Sequence, residues 1–141
     1  MYNNILLAYN SNFPKDVFIQ EIEKLGVPDK TEIMLLHVIS QKNLEHTILK
    51  KGIHLEEIVD IKKAELDSFI YPLEQKGFKC TAKINRGDIN KEILNESNDG
   101  VYEVIVLGNK KANNDLKNIL GSVTHKISKR SKLPVLIIKD Q

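Results

Sequence analysis

Four of the five candidate strands in this chain are continuous apolar runs, and this feature constrains the fold more than any other. The four runs are Asn4–Tyr9, Glu32–Ile39, Glu103–Leu107 and Pro134–Lys139, and the remaining candidate strand is Phe78–Ile84. Strands that are apolar along their whole length, rather than at alternate positions, are typical of parallel strands covered on both faces. The sequence therefore predicts a parallel sheet between two layers of helices.

Helical patterns fill the segments between these strands. Apolar residues recur at helical spacing within residues 18–25, 55–73 and 89–94, and Asp88 stands where it can cap the last of these helices. A fourth helix is expected to open at Gly121-Ser122. The alternation of five strands with four helices predicts an α/β fold, a doubly wound five-stranded parallel sheet with right-handed crossovers.

Length and composition limit the class of protein. No linker, repeat or low-complexity tract divides the 141 residues, so we expect a single domain over residues 1–141. With 41% hydrophobic and 28% charged residues the chain is of the globular type, and its net charge of +2 gives no general reason to bind nucleic acid or membrane. No apolar run approaches the ~20 residues of a membrane helix.

The cysteine content and the N-terminus favour a cytoplasmic protein. Cys80 is the only cysteine, so it forms no intramolecular disulfide, and we interpret it as a small buried strand residue in a reducing compartment. The N-terminus lacks the basic and long apolar regions of a signal peptide. No Cys/His spacing resembles a zinc site, so no metal ligands are predicted.

The segment from Val104 to Ile138 carries the strongest functional signal. An apolar strand ends at Gly108, a polar loop follows, and Gly121-Ser122 opens an amphipathic helix. Backbone N–H groups and the positive end of a helix dipole favour a phosphate at such a junction. Residues 108–132 hold seven Lys or Arg against one acid, a net charge of +6. The sequence predicts an anion site here, and the alternative is a solvated basic helix face.

Three common α/β classes do not fit. The loop after the first strand reads Asn-Ser-Asn-Phe-Pro-Lys, and its lack of glycine argues against a dinucleotide-binding fingerprint. A Walker A loop is absent as well. A phosphoacceptor receiver domain needs acids at its strand ends, but the first strand ends in Asn10 and the third in Asn85-Arg86.

The motifs that remain resemble those of the universal stress protein family over essentially the whole chain. The resemblance rests on I-L-L-A-Y-N-S, L-L-H-V-I, R-G-D-I, E-V-I-V-L-G-N-K-K followed nine residues later by G-S-V, and L-P-V-L-I-I. Nucleotide-binding members carry glycine, two residues, glycine, nine residues, then glycine and Ser or Thr. Gly108, Lys111 and Gly121-Ser122 keep this register. The resemblance implies an adenine nucleotide alpha hydrolase-like fold with strand order 3-2-1-4-5, and ATP as ligand.

The resemblance also implies which residues bind the nucleotide. They are Ala8, Asn10, Val38, Leu107, Gly108, Lys111, Gly121, Ser122 and Val123. The Val38 backbone would contact adenine, Leu107 and Gly108 would line the ribose and phosphate side, and residues 121–123 would donate to phosphate. The alternatives are structural: core-strand positions for Val38 and Leu107, and a helix-entry turn with an N-cap for Gly121-Ser122.

Two of these positions depart from the family. Asn10 stands where Asp is usual, and a neutral amide is a poor magnesium ligand, so a role for magnesium is left open. Lys111 replaces the middle glycine, and it either blocks the approach of phosphate to the backbone or pairs with the phosphate through its ammonium. Two functions remain: nucleotide binding in a stress response, or a structural dimer with a degenerate pocket.

We do not expect an enzyme. His125 lies one helical turn after Ser122, but such a pair on one helix is a chance occurrence far more often than a hydrolase. His37 is interpreted as a core or strand-end histidine. The irregular segment of about Ser40–His54 follows the second strand at the ligand-binding end of the sheet, where it is either a lid or, more commonly, a surface loop.

The last strand suggests a homodimer. By the resemblance it lies at the sheet edge and pairs with its copy through Val135, Leu136, Ile137 and Ile138, antiparallel across a two-fold axis. An exposed apolar edge is a hazard that proteins cover or pair. The alternative is that the strand is apolar because helices cover both of its faces, and that its edge is solvated.

Overall fold

The computed structural model describes residues 1–9, 13–110 and 122–140, and each structural statement below concerns these ranges. Ten elements follow one another along the chain: β1 Asn4–Ala8, α1 Lys15–Leu25, β2 Glu32–Ser40, α2 Gln41–Lys51, α3 Leu55–Gln75, β3 Lys79–Gly87, α4 Ile89–Ser97, β4 Val104–Lys110, α5 Ser122–Arg130 and β5 Val135–Asp140. The strands form one five-stranded sheet, all parallel, in the order β3-β2-β1-β4-β5. The predicted fold class and strand order are confirmed.

The central strand β1 shows why the apolar runs are unbroken. Ile5 and Leu7 pack into a core with Phe18 of α1 and Phe69 of α3, and Leu6 packs into a second core on the opposite face with α4 and α5. Since successive side chains of a strand point to opposite faces, both sets must be apolar when both faces are covered.

The segment of about Ser40–His54 is not irregular, and that prediction is wrong. It contains the helix α2. The described residues therefore form five helices, one more than the four predicted. The Oγ atom of Ser40 accepts the Asn43 N–H at 3.2 Å, and Gly52 ends the helix with a left-handed φ of 64°. Leu44 is its one buried side chain, packed with Ile39 and Ile58.

The structure confirms the predicted cap at Asp88 and corrects the predicted burial of Cys80. Asp88 caps α4 as predicted, since its Oδ1 accepts the Lys91 N–H at 2.9 Å. Cys80 lies in β3, but it is half-buried rather than buried. Burial, reinforced by the charge of Glu74, raises the pKa of the Cys80 thiol to about 12, so the thiol is protonated at neutral pH.

The strand β3 forms one edge of the sheet, pairing with β2. Its solvent-exposed positions include Lys79, Lys83 and Arg86. The Nζ atom of Lys79 lies 3.3 Å from Glu32 Oε1 on the neighbouring strand. Charged side chains are a common protection of sheet edges. Among the described helices, none is long and apolar enough to cross a membrane.

Candidate functional site

A cavity of about 420 Å³ lies where the carboxyl ends of β1, β2 and β4 meet the helices α2 to α5. In open α/β sheets this end is the usual place for ligands, and the volume is in the range of small-molecule sites. Its wall is formed by Ala8, Tyr9, Leu36, His37, Val38, Ile39, Ser40, Asn43, Leu44, Thr47, Ile58, Lys62, Ile89, Ile93, Leu107, Gly108, Val123 and Thr124.

The structure brings together five of the nine predicted nucleotide-site residues. The five that line the cavity are Ala8, Val38, Leu107, Gly108 and Val123. Ser122 is the exposed first residue of α5, directly before Val123. Asn10, Lys111 and Gly121 lie outside the described residues. The structure therefore describes neither Asn10 nor Lys111, the two positions that depart from the family motif.

Gly108 has a packing role that the sequence did not reveal. A Cβ atom on Gly108 would stand 2.6 Å from Cζ of Phe18 and 2.7 Å from Cδ2 of Phe13. Both phenylalanines are buried, and their rings pack at a centroid distance of 4.4 Å. The glycine is therefore required because two core rings press on this part of β4, beside the cavity.

The wall formed by β2, α2 and α3 carries polar residues that sequence reasoning did not assign to the site. They are His37, Ser40, Asn43, Thr47 and Lys62. Their convergence depends on α2 and α3 folding over the end of β2. The available signal was the position of residues 40–54 after β2, which places that segment at the ligand-binding end of the sheet.

Tyr9, His37, Lys62 and Glu65 form a titratable cluster at this wall. The His37 and Tyr9 rings are edge-to-face at 5.6 Å, and His37 Nδ1 lies 3.4 Å from the Tyr9 carbonyl oxygen. The Tyr9 hydroxyl donates to Glu65 Oε2 at 3.5 Å. Burial, and secondarily the charge of Lys62, lowers the pKa of His37 against the opposing effects of the Tyr9 carbonyl and Glu65. The imidazole is therefore neutral at pH 7.

Lys62 brings an ammonium group to the wall of the cavity. It is the one ionised side chain among the described lining residues at neutral pH, since His37 is neutral. Its ammonium lies 3.5 Å from Glu65 Oε2, and its side chain is 24% exposed. Because the Glu65 carboxylate offsets this charge, Lys62 brings hydrogen-bond donors to the cavity rather than a net positive field.

The model of the universal stress protein family matches residues 1–139. The chain belongs to this family. It is 24% identical to universal stress protein MJ0577 of Methanocaldococcus jannaschii over 155 residues, covering 99% of this chain and 96% of the relative. It is 25% identical to universal stress protein YxiE of Bacillus subtilis over 148 residues, covering 99% and 100%.

Solved structures agree with the family assignment. The MJ0577 structure superposes with a TM-score of 0.83 at 26% identity, covering 100% of this chain and 98% of that one. A universal stress protein of Arabidopsis thaliana with AMP bound gives a TM-score of 0.64 at 21% identity, covering 99% and 92%. One of Archaeoglobus fulgidus in complex with dAMP gives 0.64 at 16%, covering 98% and 98%.

Metal ligation in this universal stress protein finds no support in the described residues. Across residues 1–9, 13–110 and 122–140, no group of three or more His, Cys, Asp or Glu side chains is placed to hold a metal ion. The described lining residues offer hydrogen bonding and charge through Lys62 and the polar wall, and α5 begins beside the cavity.

Proposed function

We propose that this universal stress protein acts in a stress response by binding an adenine nucleotide, ATP or a close relative, in the cavity. The observation that carries the proposal is the convergence of Ala8, Val38, Leu107, Gly108 and Val123 on one cavity of about 420 Å³. The proposed role is binding rather than catalysis.

The two ends of the cavity suit the two ends of a nucleotide. The first turn of α5, at Ser122 and Val123, offers backbone N–H groups and the positive end of the helix dipole to a phosphate. Val38, near the carboxyl end of β2, lies where the base is expected from the family. The apolar side chains of Ile89 and Ile93 line the cavity from α4 and supply surface for a base or ribose.

The relatives support this choice of ligand. The Arabidopsis thaliana and Archaeoglobus fulgidus universal stress proteins hold AMP and dAMP, which share the adenine base and a phosphate. The common fold, with five of the nine predicted residues lining one cavity, makes the same ligand class the first to test. The competing function is a structural or interaction dimer whose pocket is degenerate, as the substitutions at Asn10 and Lys111 suggest.

Calorimetric titration with Mg-ATP, with and without EDTA, decides between the two functions. At a protein concentration near 100 μM, roughly the scale of weak nucleotide binding, the nucleotide function requires measurable heat. Binding that persists in EDTA would agree with Asn10 being a poor magnesium ligand. Absence of heat in both titrations would reject the nucleotide function and leave the interaction dimer.

Ser122→Ala is expected to weaken nucleotide binding about tenfold, because it removes a hydroxyl that can donate to a phosphate at the start of α5. The matched control is Ser128→Ala on the same helix, where the exposed Ser128 hydroxyl donates to the His125 carbonyl oxygen at 3.0 Å. The control should bind like the wild type. Equal affinities for all three proteins would contradict a phosphate contact at Ser122.

Assembly as a homodimer through β5 is the second part of the proposal. The strand lies at the sheet edge, paired with β4. Val135, Leu136 and Ile137 are half-buried in the single chain, whereas Ile138 is buried. Pairing this edge with its copy, antiparallel about a two-fold axis, would satisfy its free backbone groups and cover the half-exposed apolar side chains.

Ile137→Lys is expected to convert a dimer to a monomer or to insoluble protein, because it places a charge in the apolar part of the paired edge. Val101→Lys is the control: it adds the same charge at a residue that is 57% exposed and outside β5. Sedimentation at tens of micromolar measures both variants. A wild-type chain that sediments as a clean monomer would refute the dimer.

A further inference from the structure

The helix α2 forms part of the cavity wall but contributes little to the core. Asn43, Leu44 and Thr47 line the cavity from one face of α2, since residues three and four apart are neighbours on a helix. Leu44 is the only buried side chain of α2. The side chain of Leu49 is 84% exposed, so the outer face of α2 is open to solvent.

The contacts that hold α2 in place are few. Leu44 packs with Ile39 and Ile58 in a small cluster that is separate from the two cores on either side of the sheet. Among the described residues, no hydrogen bond or ion pair joins α2 to another element, apart from the cap at Ser40. Detaching α2 would therefore leave both cores and the sheet intact.

The two ends of α2 have the form of hinges. Ser40 at the start is extended, and Gly52 at the end has a left-handed φ of 64°. Apart from its chain neighbours, no described atom lies within 4 Å of the place where a Cβ atom on Gly52 would stand. Residues 52–54 belong to no helix or strand before α3 begins at Leu55. Residues at the ends of an element commonly absorb the backbone rotation when that element moves.

We propose that α2 is a lid that opens as a unit about Ser40 and Gly52, and that a ligand in the cavity holds it closed. Segments with few buried contacts open most readily without unfolding the rest of a protein. A detached helix of 11 residues is only marginally stable in water. The open state therefore loses the hydrogen bonds within α2 together with its contacts to the cavity.

Closure is coupled to occupancy because the face of α2 that carries Asn43, Leu44 and Thr47 forms the cavity wall only in the closed state. The amide and hydroxyl groups donate and accept hydrogen bonds, and Leu44 adds apolar surface. A ligand that contacts this face binds the closed state more tightly than the open one, so it shifts the population toward closure. The coupling rests on the proposed function, which supplies the ligand, whereas the opening of α2 does not.

Hydrogen exchange followed by NMR, with and without AMP, tests both parts of the inference. In the free protein, the amides of residues 45–52 should exchange at least about tenfold faster than those of residues 66–73, around the buried side chains of α3. AMP at about ten times the Kd measured by calorimetry should slow the exchange of residues 45–52 about tenfold, because the factor is 1 + [L]/Kd when only the closed state binds.

Gly52→Ala changes the hinge without changing a residue that lines the cavity. An alanine is disfavoured at the left-handed φ of Gly52, so the exchange of residues 45–52 should become about tenfold faster. The matched control is Gly100→Ala, since Gly100 also has a positive φ, 82°, and open space around its Cβ position, but lies after α4. The control should leave the exchange of α2 unchanged, and slow exchange of residues 66–73 verifies that each variant is folded.

Exchange of α2 at the rate of residues 66–73 in the free protein would overturn the lid. An effect of Gly52→Ala confined to the amides next to position 52 would do the same, because it would show fraying of the helix end rather than opening of α2 as a unit. Calorimetric binding of AMP without added protection of α2 would overturn the coupling and leave the proposed function standing. If calorimetry detects no binding of AMP, the proposed function fails and the coupling fails with it, while exchange in the free protein still decides whether α2 opens.

Discussion

Gly108→Ala is expected to lower the free energy of unfolding by roughly 1–3 kcal/mol, the usual cost of inserting a methyl group into a packed core. The new Cβ atom would lie 2.6 Å from the Phe18 ring and 2.7 Å from the Phe13 ring. Phe18 is completely buried and Phe13 is 3% exposed, so neither ring can turn into solvent. Urea unfolding of both proteins measures the difference.

The double variant Gly108→Ala/Phe13→Leu tests the cause. A smaller side chain at position 13 makes room for the added methyl group, so the two changes should cost less together than the sum of their separate effects. Additive losses would show that the glycine is needed for some reason other than these rings. Nucleotide titration of the same variants then tells whether packing and binding at Gly108 can be separated.

Glu96→Gln is expected to destabilise the fold by about 2 kcal/mol, the range for a buried hydrogen bond to a charged group. Glu96 on α4 is 7% exposed. Its Oε1 accepts from the Lys83 ammonium of β3 at 2.7 Å, and its Oε2 accepts from the Tyr102 hydroxyl at 2.8 Å. The carboxylate thus joins the helix, the edge strand and the approach to β4, and an amide cannot accept at both positions.

The effect of Glu96→Gln should depend on pH. Burial alone would raise the pKa of Glu96, but the hydrogen bonds from Lys83 and Tyr102 outweigh it and hold this pKa below its ordinary value of 4.5. A depressed folded-state pKa gives stability that is complete above pH 4.5 and is lost as the pH falls through the folded pKa. The difference between wild type and variant should therefore shrink in acid.

Urea unfolding between about pH 3 and pH 7 measures this dependence. Glu74→Gln is a suitable control, because Glu74 is exposed near the end of α3 and its change should alter stability little. A constant difference between wild type and Glu96→Gln over the whole pH range would contradict the account of Glu96 as an ionised, hydrogen-bonded group.

The strands were predictable because the sequence carries their burial directly. β1 is apolar at consecutive positions since Ile5 and Leu6 enter different cores, and that signal needs no knowledge of the partners. Asp88 was predictable for a similar reason, because a cap acts within one turn. β3 is less regular, and its predicted end at Ile84 falls three residues short of Gly87, since an edge strand need not be apolar throughout.

The helix α2 and the wall of the cavity formed by β2, α2 and α3 were not predictable in the same way. α2 buries only Leu44, so its sequence has no strong apolar stripe, and Ser40 and Gly52 were its main local signals. Lys62 and Thr47 look like ordinary helix residues in the sequence. They line the cavity because α2 and α3 fold over β2, and no local sequence pattern records such a relation between elements.

The charged edge formed by β3 sets a limit on how far the protein can polymerise. A sheet with two exposed apolar edges could add copies at both sides and grow into a filament. Here Lys79 and Lys83 are paired with Glu32 and Glu96, and Arg86 is exposed, so a second chain adding at this edge would have to accommodate these charged side chains. In the proposed dimer, each outer edge would be a β3, and the charged side chains there would oppose further growth of the sheet.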